Sequence, residues 1–477
     1  MTSRTYGRLP NYSVIPESSL LFDPTNEQAS APHPLRGLLH HGPFGAKLSP
    51  PIVPPPIRLA YITVEGHATV LRDHLNRLEQ TFESTAKSGY FPEYSGFQRV
   101  YGIPLTLPQS RREPVSLIPE TEARTALSHP EPERAFLQVL EHAVAALSLR
   151  RAEFDIIVFY FPKFISPIFK VYGEGYEFDL HDATKAITAT LGIPSQVILD
   201  RSIEYADTCS VMWSLSLAIY AKAGGIPWKL NNAAPVGTAF IGLSYVLRQH
   251  EGKQSVLTCC SQLFDGQGHG LQFLLFSADE FRFVGRNPFL TKPGMRSLLT
   301  KTLELYARQM GNVPPHVVVH KTTQYTRDER EGAAEALGDL SGYDLLQVQE
   351  ETSWLAAKGK RGEATPYPVD RGTVLPLSKF SFLLWTQGDV WGATEQNKSF
   401  YQEAKGVPHP LLITQHAGDS DMLDSAAQVL ALTKMNWNTS RLYNVLPVTV
   451  RSASALGDIA KYMGKHSAAP YQYRLFM

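Results

Sequence analysis

Apolar runs alternate with amphipathic stretches along the first half of the chain. The segment Phe154–Phe161 is almost continuously apolar, which is typical of a strand buried on both faces of a parallel sheet. Two further strands and four helices are predicted around it, namely strands Arg58–Val64 and Gln196–Leu199 and helices His67–Ala86, Phe136–Leu149, Asp179–Leu191 and Ile203–Ala223. This alternation predicts an α/β fold, with a doubly wound, Rossmann-like domain first.

The second half has a different order of elements. Three strands separated by turn signals are predicted at Thr238–Arg248, Ser255–Phe264 and Leu271–Phe276. The elements predicted after them are helix Gly294–Met310, strand His316–His320, helix Arg327–Leu337, strands Tyr343–Gln349, Phe380–Trp385 and Leu411–Gln415, and helices Asp421–Leu432 and Ala453–Tyr462. Three antiparallel strands followed by alternating helices and strands indicate a ribonuclease-H-like domain.

These patterns divide the chain into three parts. Residues 1–60 form an N-terminal extension in which five prolines lie between Leu48 and Ile57, so this part is expected to be extended and to wrap over a neighbour or act as a stiff connector. Residues 61–230 form the Rossmann-like domain, and residues 231–477 form the ribonuclease-H-like domain.

Charge and cysteine content narrow the functional classes. The 477 residues carry 45 basic and 45 acidic side chains, so binding of nucleic acid through bulk positive charge is disfavoured, whereas a single basic pocket is not. Cys259 and Cys260 are adjacent, and Cys209 is the only other cysteine, which argues against disulfides or a zinc site and fits the cytoplasm. Residues 1–20 contain no apolar leader segment, and we expect no membrane association.

Four polar side chains are spaced so that they can meet at one edge of the first sheet. His181 and Lys185 lie four apart on one helix, Gln196 opens the next strand, and Lys222 ends the following helix. Two cations, an amide and an imidazole suit a terminal phosphate group. Each residue alone has an ordinary explanation, such as a lysine complementing a helix dipole. The combined spacing favours a phosphate pocket.

Several segments resemble one protein family. They are Gly37-Leu38, Gly42-Pro43-Phe44, Ile193–Ile198, Tyr220–Trp228, Thr433–Thr439, Tyr443-Asn444 and Leu446–Thr449. With these segments the chain resembles Argonautes, specifically the short prokaryotic members made of MID and PIWI domains. The resemblance covers nearly the whole chain, and it implies that residues 61–230 are the MID domain and residues 231–477 the PIWI domain.

In the family the MID pocket anchors the 5′-phosphate of a guide strand. The resemblance assigns this role to His181, Lys185, Gln196 and Lys222, with His181 standing where many members have tyrosine. It also implies a divalent cation, Mg²⁺, held by Gln196 and by the C-terminal carboxylate of Met477, because hard cations prefer oxygen ligands. The alternative for the apolar segment that ends at Met477 is that it only seals a domain interface.

The family's catalytic carboxylates are absent from the positions that match them. Ser244, Thr322 and Ser454 stand where the resemblance places metal-binding aspartate or histidine residues, and hydroxyl groups cannot hold the two metal ions of such a site. The family's glutamate has no clear counterpart in this sequence. The resemblance therefore implies a PIWI domain that binds guide and target without cutting. The alternative is a site rescued by displaced carboxylates, for which Asp265, Asp279 and Glu280 are the candidates.

The function implied by the resemblance is recognition rather than catalysis. A guide RNA with a 5′-phosphate would direct binding to complementary single-stranded DNA. An APAZ-containing effector protein, of the sirtuin type rather than the TIR type or a nuclease, would then be activated in defence against plasmids or phages. Two alternatives stay open, which are a guided nuclease with displaced carboxylates and an unrelated α/β ligand-binding scaffold.

Overall fold

The structure is a computed structural model. It describes residues 11–477, except for 87–88, 111, 174–175, 233, 251–252, 268–269, 271, 278–280, 286, 351, 361–362, 395–398, 402–406 and 464–469. Among the helices of the described residues, none has the length and apolar character that crossing a bilayer requires.

The N-terminal segment is built into the body of the protein. Its elements are strands β1 (Ser13–Val14), β2 (Leu20–Leu21) and β3 (Ser30–Ala31) and helix α1 (Pro34–His41). A buried ion cluster fixes this segment, because the Glu17 carboxylate accepts from Arg371 Nε at 2.8 Å and lies 2.8 Å from Lys434 Nζ. The two cations hold the pKa of Glu17 at about 2, against the effect of burial.

The first domain is a parallel sheet with helices on both faces. Its strands are β4 (Ile57–Val64), β5 (Leu105–Thr106), β6 (Val115–Ile118), β7 (Ile156–Phe161) and β10 (Ser195–Leu199), with a separate hairpin formed by β8 (Lys170–Gly173) and β9 (Tyr176–Asp179). Its helices are α2 (Ala68–Asn76), α3 (Phe97–Tyr101), α4 (Glu120–Leu127), α5 (Pro132–Ser148), α6 (Leu180–Thr190), α7 (Asp200–Ile203) and α8 (Thr208–Lys222). The strand order β10-β7-β4-β5, with β6 also on β4, makes β10 an edge strand.

Alternation along the strands divides the core of this domain between two faces. Leu59 and Tyr61 on β4 contribute to one apolar cluster, which α2 and α8 cover, whereas Ala60 and Ile62 contribute to the other, which α5 and α6 cover. Helices α6 and α8 therefore flank the edge strand β10 from opposite faces of the sheet. This arrangement places the polar ends of both helices next to β10.

The second domain is organised around a ten-stranded sheet. Its strands are β11 (Lys229–Leu230), β12 (Thr238–His250), β13 (Lys253–Phe264), β14 (Gln272–Ser277), β15 (Phe281–Val284), β16 (Asn287–Leu290), β17 (His316–Lys321), β18 (Gly342–Gln349), β19 (Ala357–Lys360), β20 (Glu363–Pro368), β21 (Thr373–Pro376), β22 (Ser381–Leu384), β23 (Leu411–Ala417) and β24 (Tyr471–Gln472). Its helices are α9 (Lys292–Met310), α10 (Arg327–Leu337), α11 (Met422–Leu432) and α12 (Val448–Ala460).

The order of the large sheet is β1-β21-β22-β23-β18-β17-β12-β13-β14-β24. Strands β12, β13 and β14 are antiparallel, and β17 and β18 run parallel to β12, as the predicted ribonuclease-H-like order requires. Strand β1 of the N-terminal segment pairs with β21 and completes one edge. The predicted α/β fold class, with a Rossmann-like sheet and then a ribonuclease-H-like sheet, is confirmed.

Four predicted helices had a boundary that was wrong by four residues or more. The helix predicted at Phe136–Leu149 starts at Pro132. The helix predicted at His67–Ala86 ends at Asn76 and a short 3₁₀ turn, because Phe82 forms an antiparallel bridge with Tyr94 instead. The helix predicted at Ile203–Ala223 starts only at Thr208, after the separate turn α7. The helix predicted at Ala453–Tyr462 starts earlier, at Val448.

Candidate nucleic-acid interface

The structure brings together the four side chains that were predicted to bind phosphate. Lys222 Nζ, in the last turn of α8, donates to Gln196 Oε1 on β10 at 2.5 Å, and the Gln196 amide donates to the carbonyl of Val197. The two lysines are close enough for the charge of Lys185 to lower the pKa of Lys222. Burial lowers the pKa of His181, and the charges of Lys185 and Lys222 lower it further, against the effect of Asp182. The edge of β10 is thus where the ends of α6 and α8 converge.

Burial makes the two lysine charges unfavourable in the absence of a ligand. Lys185 is 4% exposed and Lys222 is 2% exposed. Burial lowers the pKa of Lys185 to about 8, although Asp182 and Asp179 act in the opposite direction. The pKa of Lys222 lies well below its ordinary value because of burial first and the charge of Lys185 second. Two buried like charges form a site that an anion would stabilise.

Two carboxylates beside the lysines organise the start of α6. Asp179 caps the helix by accepting from the backbone amides of His181 and Asp182, and it also pairs with Lys170 at 2.8 Å. Asp182 lies 2.9 Å from His181 Nδ1 and orients the imidazole ring. Asp179, His181 and Asp182 are also close enough together to hold a metal ion, but the helix cap and the ion pairs already use these groups. Sequence spacing alone did not indicate these partners of His181.

The C-terminal segment packs against both helices of the pocket. The 3₁₀ turn Tyr473–Leu475 contacts α6 and α8, and the Arg474 guanidinium donates to the carbonyl of Ala223 at 3.2 Å. Met477 is buried and lines a cavity of about 570 Å³ beside Ala221 and Ala223. Met477 therefore lies next to the end of α8, beside the two alanines that flank Lys222 in sequence.

A glycine pair lets the chain turn directly after α8. Gly224 has a positive φ of +100°, which side chains other than glycine rarely tolerate, and a Cβ at Gly225 would lie 2.4 Å from the ring of Tyr220. The turn places the end of α8 against Arg474. The Gly-Gly signal in the sequence therefore corresponds to a tight exit from the pocket.

A groove leads away from the pocket along α8. Its volume is about 850 Å³, and its walls include Gln196 and Arg201 on one side and the segment 438–441 on the other. Ser210, Ser214 and Ala218 line it at intervals of four residues, and Lys222 is the next residue on the same helical stripe. The stripe extends about 18 Å, at 1.5 Å per residue. The four-residue spacing of these small residues is visible in the sequence and could have predicted the groove.

Ser244 and Thr322, two of the three positions where carboxylates were expected, lie side by side at one end of the large sheet. The register pairs Leu243 on β12 with Lys321 on β17, so Ser244 and Thr322 follow as neighbours. Ser244 faces α12, where a Cβ at Gly457 would lie 3.9 Å from its Oγ, and Ser454 is one turn away on the same helix. The structure thus brings these three hydroxyl-bearing residues to one region.

Other polar groups occupy the surroundings of this region. The Gln347 amide donates to the carbonyl of Thr322 at 3.3 Å, and Gln347 Oε1 lies 3.0 Å from His416 Nε2. The carboxylate of Glu329 is fully buried and accepts from Lys321 Nζ at 2.7 Å and from the Tyr245 hydroxyl at 2.6 Å. All four of these contacts are internal. Glu329 therefore has no oxygen available for a metal ion.

Asp265, one of the three carboxylates considered as replacements, does not join this region. Asp265 pairs with Lys229 at 3.1 Å and follows Phe264, which pairs with Phe240. Ser244 lies four residues further along β12 than Phe240, a distance of about 13 Å at 3.3 Å per residue. Asp279 and Glu280 lie outside the described residues.

Two curated proteins are similar to this chain in sequence. The protein argonaute of Aquifex aeolicus is 25% identical over 275 residues, and that of Thermus thermophilus is 26% identical over 278 residues. Each match covers 57% of this chain and 35% of the relative, so the chain matches about a third of the length of these proteins. No protein-family model matches the chain.

Solved structures share the fold over almost the entire chain. Clostridium butyricum Argonaute, bound to a guide DNA and a 19-mer target DNA, superposes with a TM-score of 0.67 at 15% identity, covering 98% of this chain and 54% of that protein. Aquifex aeolicus Argonaute superposes with a TM-score of 0.61 at 18% identity, covering 98% and 57%. The comparison establishes a common architecture of both sheets.

Proposed function

Because Argonaute proteins are homologues of this chain in sequence over about 57% of its length, we propose that it binds a guide strand by its 5′-phosphate. The observation that carries this proposal is the pair of buried lysines at the edge of β10, each with a depressed pKa. A terminal phosphate would accept hydrogen bonds from Lys185 and Lys222 and would restore the protons that burial disfavours. The similarity is consistent with a short Argonaute of MID and PIWI domains.

The groove along α8 is the proposed path of the strand beyond its first nucleotide. The Ser214 hydroxyl on α8 can donate to a phosphate oxygen, and Arg201 on the rim adds a positive charge. The pocket fixes one end of the strand, and the groove then sets its direction toward the second domain. The neutral net charge of the protein fits such a local site.

The proposed metal ligands at the 5′-phosphate are Gln196 and the carboxylate of Met477. Both offer oxygen atoms, which is the donor type that Mg²⁺ prefers, and Met477 lies beside the end of α8. Gln196 Oε1 already accepts from Lys222, so it would be shared with that lysine. A bound cation would neutralise part of the phosphate charge, while the lysines and Gln196 orient the oxygens.

We further propose that the second domain holds a target strand without cutting it. Ser244, Thr322 and Ser454 supply only hydroxyl groups at the sheet end, and the nearby Glu329 is committed to Lys321 and Tyr245. A two-metal mechanism needs several carboxylates around both ions. Cleavage of a labelled complementary strand in the presence of Mg²⁺ or Mn²⁺ would favour the displaced-carboxylate alternative instead. A chelator should then abolish this cleavage.

The finer proposal concerns guide, target and partner. On the resemblance to short prokaryotic Argonautes, the guide is an RNA and the target a single-stranded DNA. A protein that recognises a target but cannot cut it needs another protein to act, so we propose an APAZ-containing effector of the sirtuin type, active in defence against plasmids or phages. Co-purification from the native host, with sequencing of the bound strands, tests all three parts.

The test of guide binding compares two strands that differ only at the 5′ end. The protein should bind a 5′-phosphorylated RNA of about 20 nucleotides at least tenfold more tightly than the same RNA with a 5′-hydroxyl, because charge-assisted hydrogen bonds to phosphate contribute about 1.5–3 kcal/mol each. Fluorescence anisotropy at fixed salt measures both affinities. Equal affinities would support the unrelated-scaffold alternative.

The 5′-phosphate preference should decrease at alkaline pH. The pKa of Lys185 is lowered to about 8, so the free protein loses this charge as the pH rises through that value. The bound phosphate favours the charged form and raises the pKa of Lys185, so the contribution of Lys185 to the affinity is fully present below about pH 8 and falls by up to about tenfold per pH unit above it. Titrations between pH 6.5 and 9.5 should show this decline. A Lys185→Met variant should show a flatter profile above pH 8.

A further inference from the structure

A buried histidine at the far end of the groove lacks hydrogen-bond partners. His74 lies on α2, is 3% exposed and lines the groove. Within the described part of the chain, neither of its ring nitrogens has a hydrogen-bond partner. Burial lowers the pKa of His74 to about 4, so at neutral pH the ring offers one N–H donor and one acceptor nitrogen. An unsatisfied buried polar group costs about 1–3 kcal/mol, which a bound group would recover.

The surroundings of His74 combine polar atoms with an aromatic ring. One turn after His74, Arg77 donates to Thr208 Oγ1 at 2.6 Å, which brings the end of α2 to the start of α8. Asp207, just before α8, is buried and is held by the Ser84 hydroxyl and the Thr85 amide, both at 3.2 Å. His74, Thr85, Asp207 and Phe91 all line the groove. This end of the groove therefore has a donor, acceptors and an apolar surface.

The chemistry of this end suits a neutral, flat, polar-edged group. The carboxylate of Asp207 disfavours a phosphate, and the uncharged His74 adds no attraction for one. A nucleobase has donors and acceptors along its edge and an apolar face that can pack on an aromatic side chain. Ser210, next to this end, is twelve residues before Lys222 on α8, about 18 Å from the 5′-phosphate pocket.

We propose that the far end of the groove is a subsite for one nucleobase of the bound strand, a few nucleotides from its 5′ end. One ring nitrogen of His74 forms a hydrogen bond with the edge of the base, and Phe91 packs against its face. This inference rests on the proposed guide binding, and it adds to it a position at which the protein reads a base rather than the backbone. The strand would be held at two points, a charged one at Lys222 and a neutral one at His74.

The test is an abasic scan of a 5′-phosphorylated strand. Each of the first six nucleotides is replaced in turn by an abasic residue, and each affinity is measured with the whole protein. We expect one internal position to lower the affinity by about five- to tenfold, the range of one or two hydrogen bonds, and its neighbours to change it less than about twofold. In His74→Ala this maximum should disappear, and in His74→Gln, which keeps a donor and an acceptor, it should return in part.

The controls separate this subsite from the guide-binding proposal. His74→Ala should keep the preference for a 5′-phosphate over a 5′-hydroxyl, because the pocket lies about 18 Å away. A uniform abasic profile together with an intact 5′-phosphate preference would overturn the subsite alone, whereas loss of that preference in the unaltered protein would overturn the guide-binding proposal. The variant His74→Phe tests whether the ring nitrogens of His74 contact only water molecules. If this variant is more heat-stable and keeps the abasic maximum, His74 contacts only water and the proposal fails.

Discussion

Replacing Lys185 and Lys222 together by methionine is expected to weaken binding of a 5′-phosphorylated strand by about 3–6 kcal/mol. This is the sum of two charge-assisted hydrogen bonds of about 1.5–3 kcal/mol each, and it corresponds to roughly a hundredfold to ten-thousandfold loss of affinity. Both ammonium groups are buried, so solvent screens their contribution little. Methionine approximately preserves the length and volume of the side chains, so the loss reports charge rather than packing.

Two further measurements make this result specific. Binding of the 5′-hydroxyl strand should change by less than about threefold, because it lacks the group that the lysines contact. The variant should unfold at a temperature no lower than that of the unaltered protein, since burial already makes both charges unfavourable. Lys163→Met with Lys379→Met, at two exposed positions, is the matched control and should leave both affinities unchanged. An unaltered 5′-phosphate preference in Lys185→Met/Lys222→Met would contradict the assignment of the pocket.

Lys321→Met is expected to lower the free energy of unfolding by about 3–5 kcal/mol. Lys321 and Glu329 are 1% and 0% exposed and lie 2.7 Å apart, and the lysine side chain also lies among the rings of Tyr245, Phe289 and Tyr325. Removing only the cation leaves a buried carboxylate without its counter-charge, which is the costly way to break such a pair. Urea unfolding measured by tryptophan fluorescence gives the change.

Two further variants distinguish the effect of an uncompensated charge at Glu329 from the effect of lost packing around Lys321. Adding Glu329→Gln to Lys321→Met should recover most of the loss, because no unpaired charge then remains in the core. Lys292→Met on the neighbouring helix is the control, since Lys292 and Glu335 form an exposed pair at 2.7 Å that solvent screens, so its removal should change stability little. Equal losses for Lys321→Met and for the double variant would show that the aromatic contacts matter more than the charge.

The Lys321–Glu329 pair also bears on the proposal that the second domain does not cut its target. It lies directly beside Thr322 and Ser244, because Lys321 is the last residue of β17 and Tyr245 follows Ser244. Both carboxylate oxygens of Glu329 accept hydrogen bonds from groups inside the protein. Replacing Ser244, Thr322 and Ser454 by aspartate would introduce carboxylates at these three positions and leave the Lys321–Glu329 pair unchanged.

Local periodicity was sufficient for the main strands and helices of both sheets. The apolar run that includes β7, the strand–helix order of both halves and the bounds of α10 were predicted closely, since each depends on residues adjacent in sequence. Boundaries failed where a distant partner intervened. Phe82 pairs with Tyr94 instead of continuing the predicted helix, and Asp207, just before α8 begins, accepts hydrogen bonds from Ser84 and Thr85.

The sequence by itself determined the residue types of the pocket, His181, Lys185, Gln196 and Lys222, and the absence of carboxylates at three positions of the sheet end. Only the tertiary structure decided how strongly the lysine charges are perturbed, because the pKa of each depends on burial and on a neighbour from another element. The same holds for His74 and for the Lys321–Glu329 pair. Their roles depend on the groups that surround them in the folded protein, and spacing along the chain does not predict those groups.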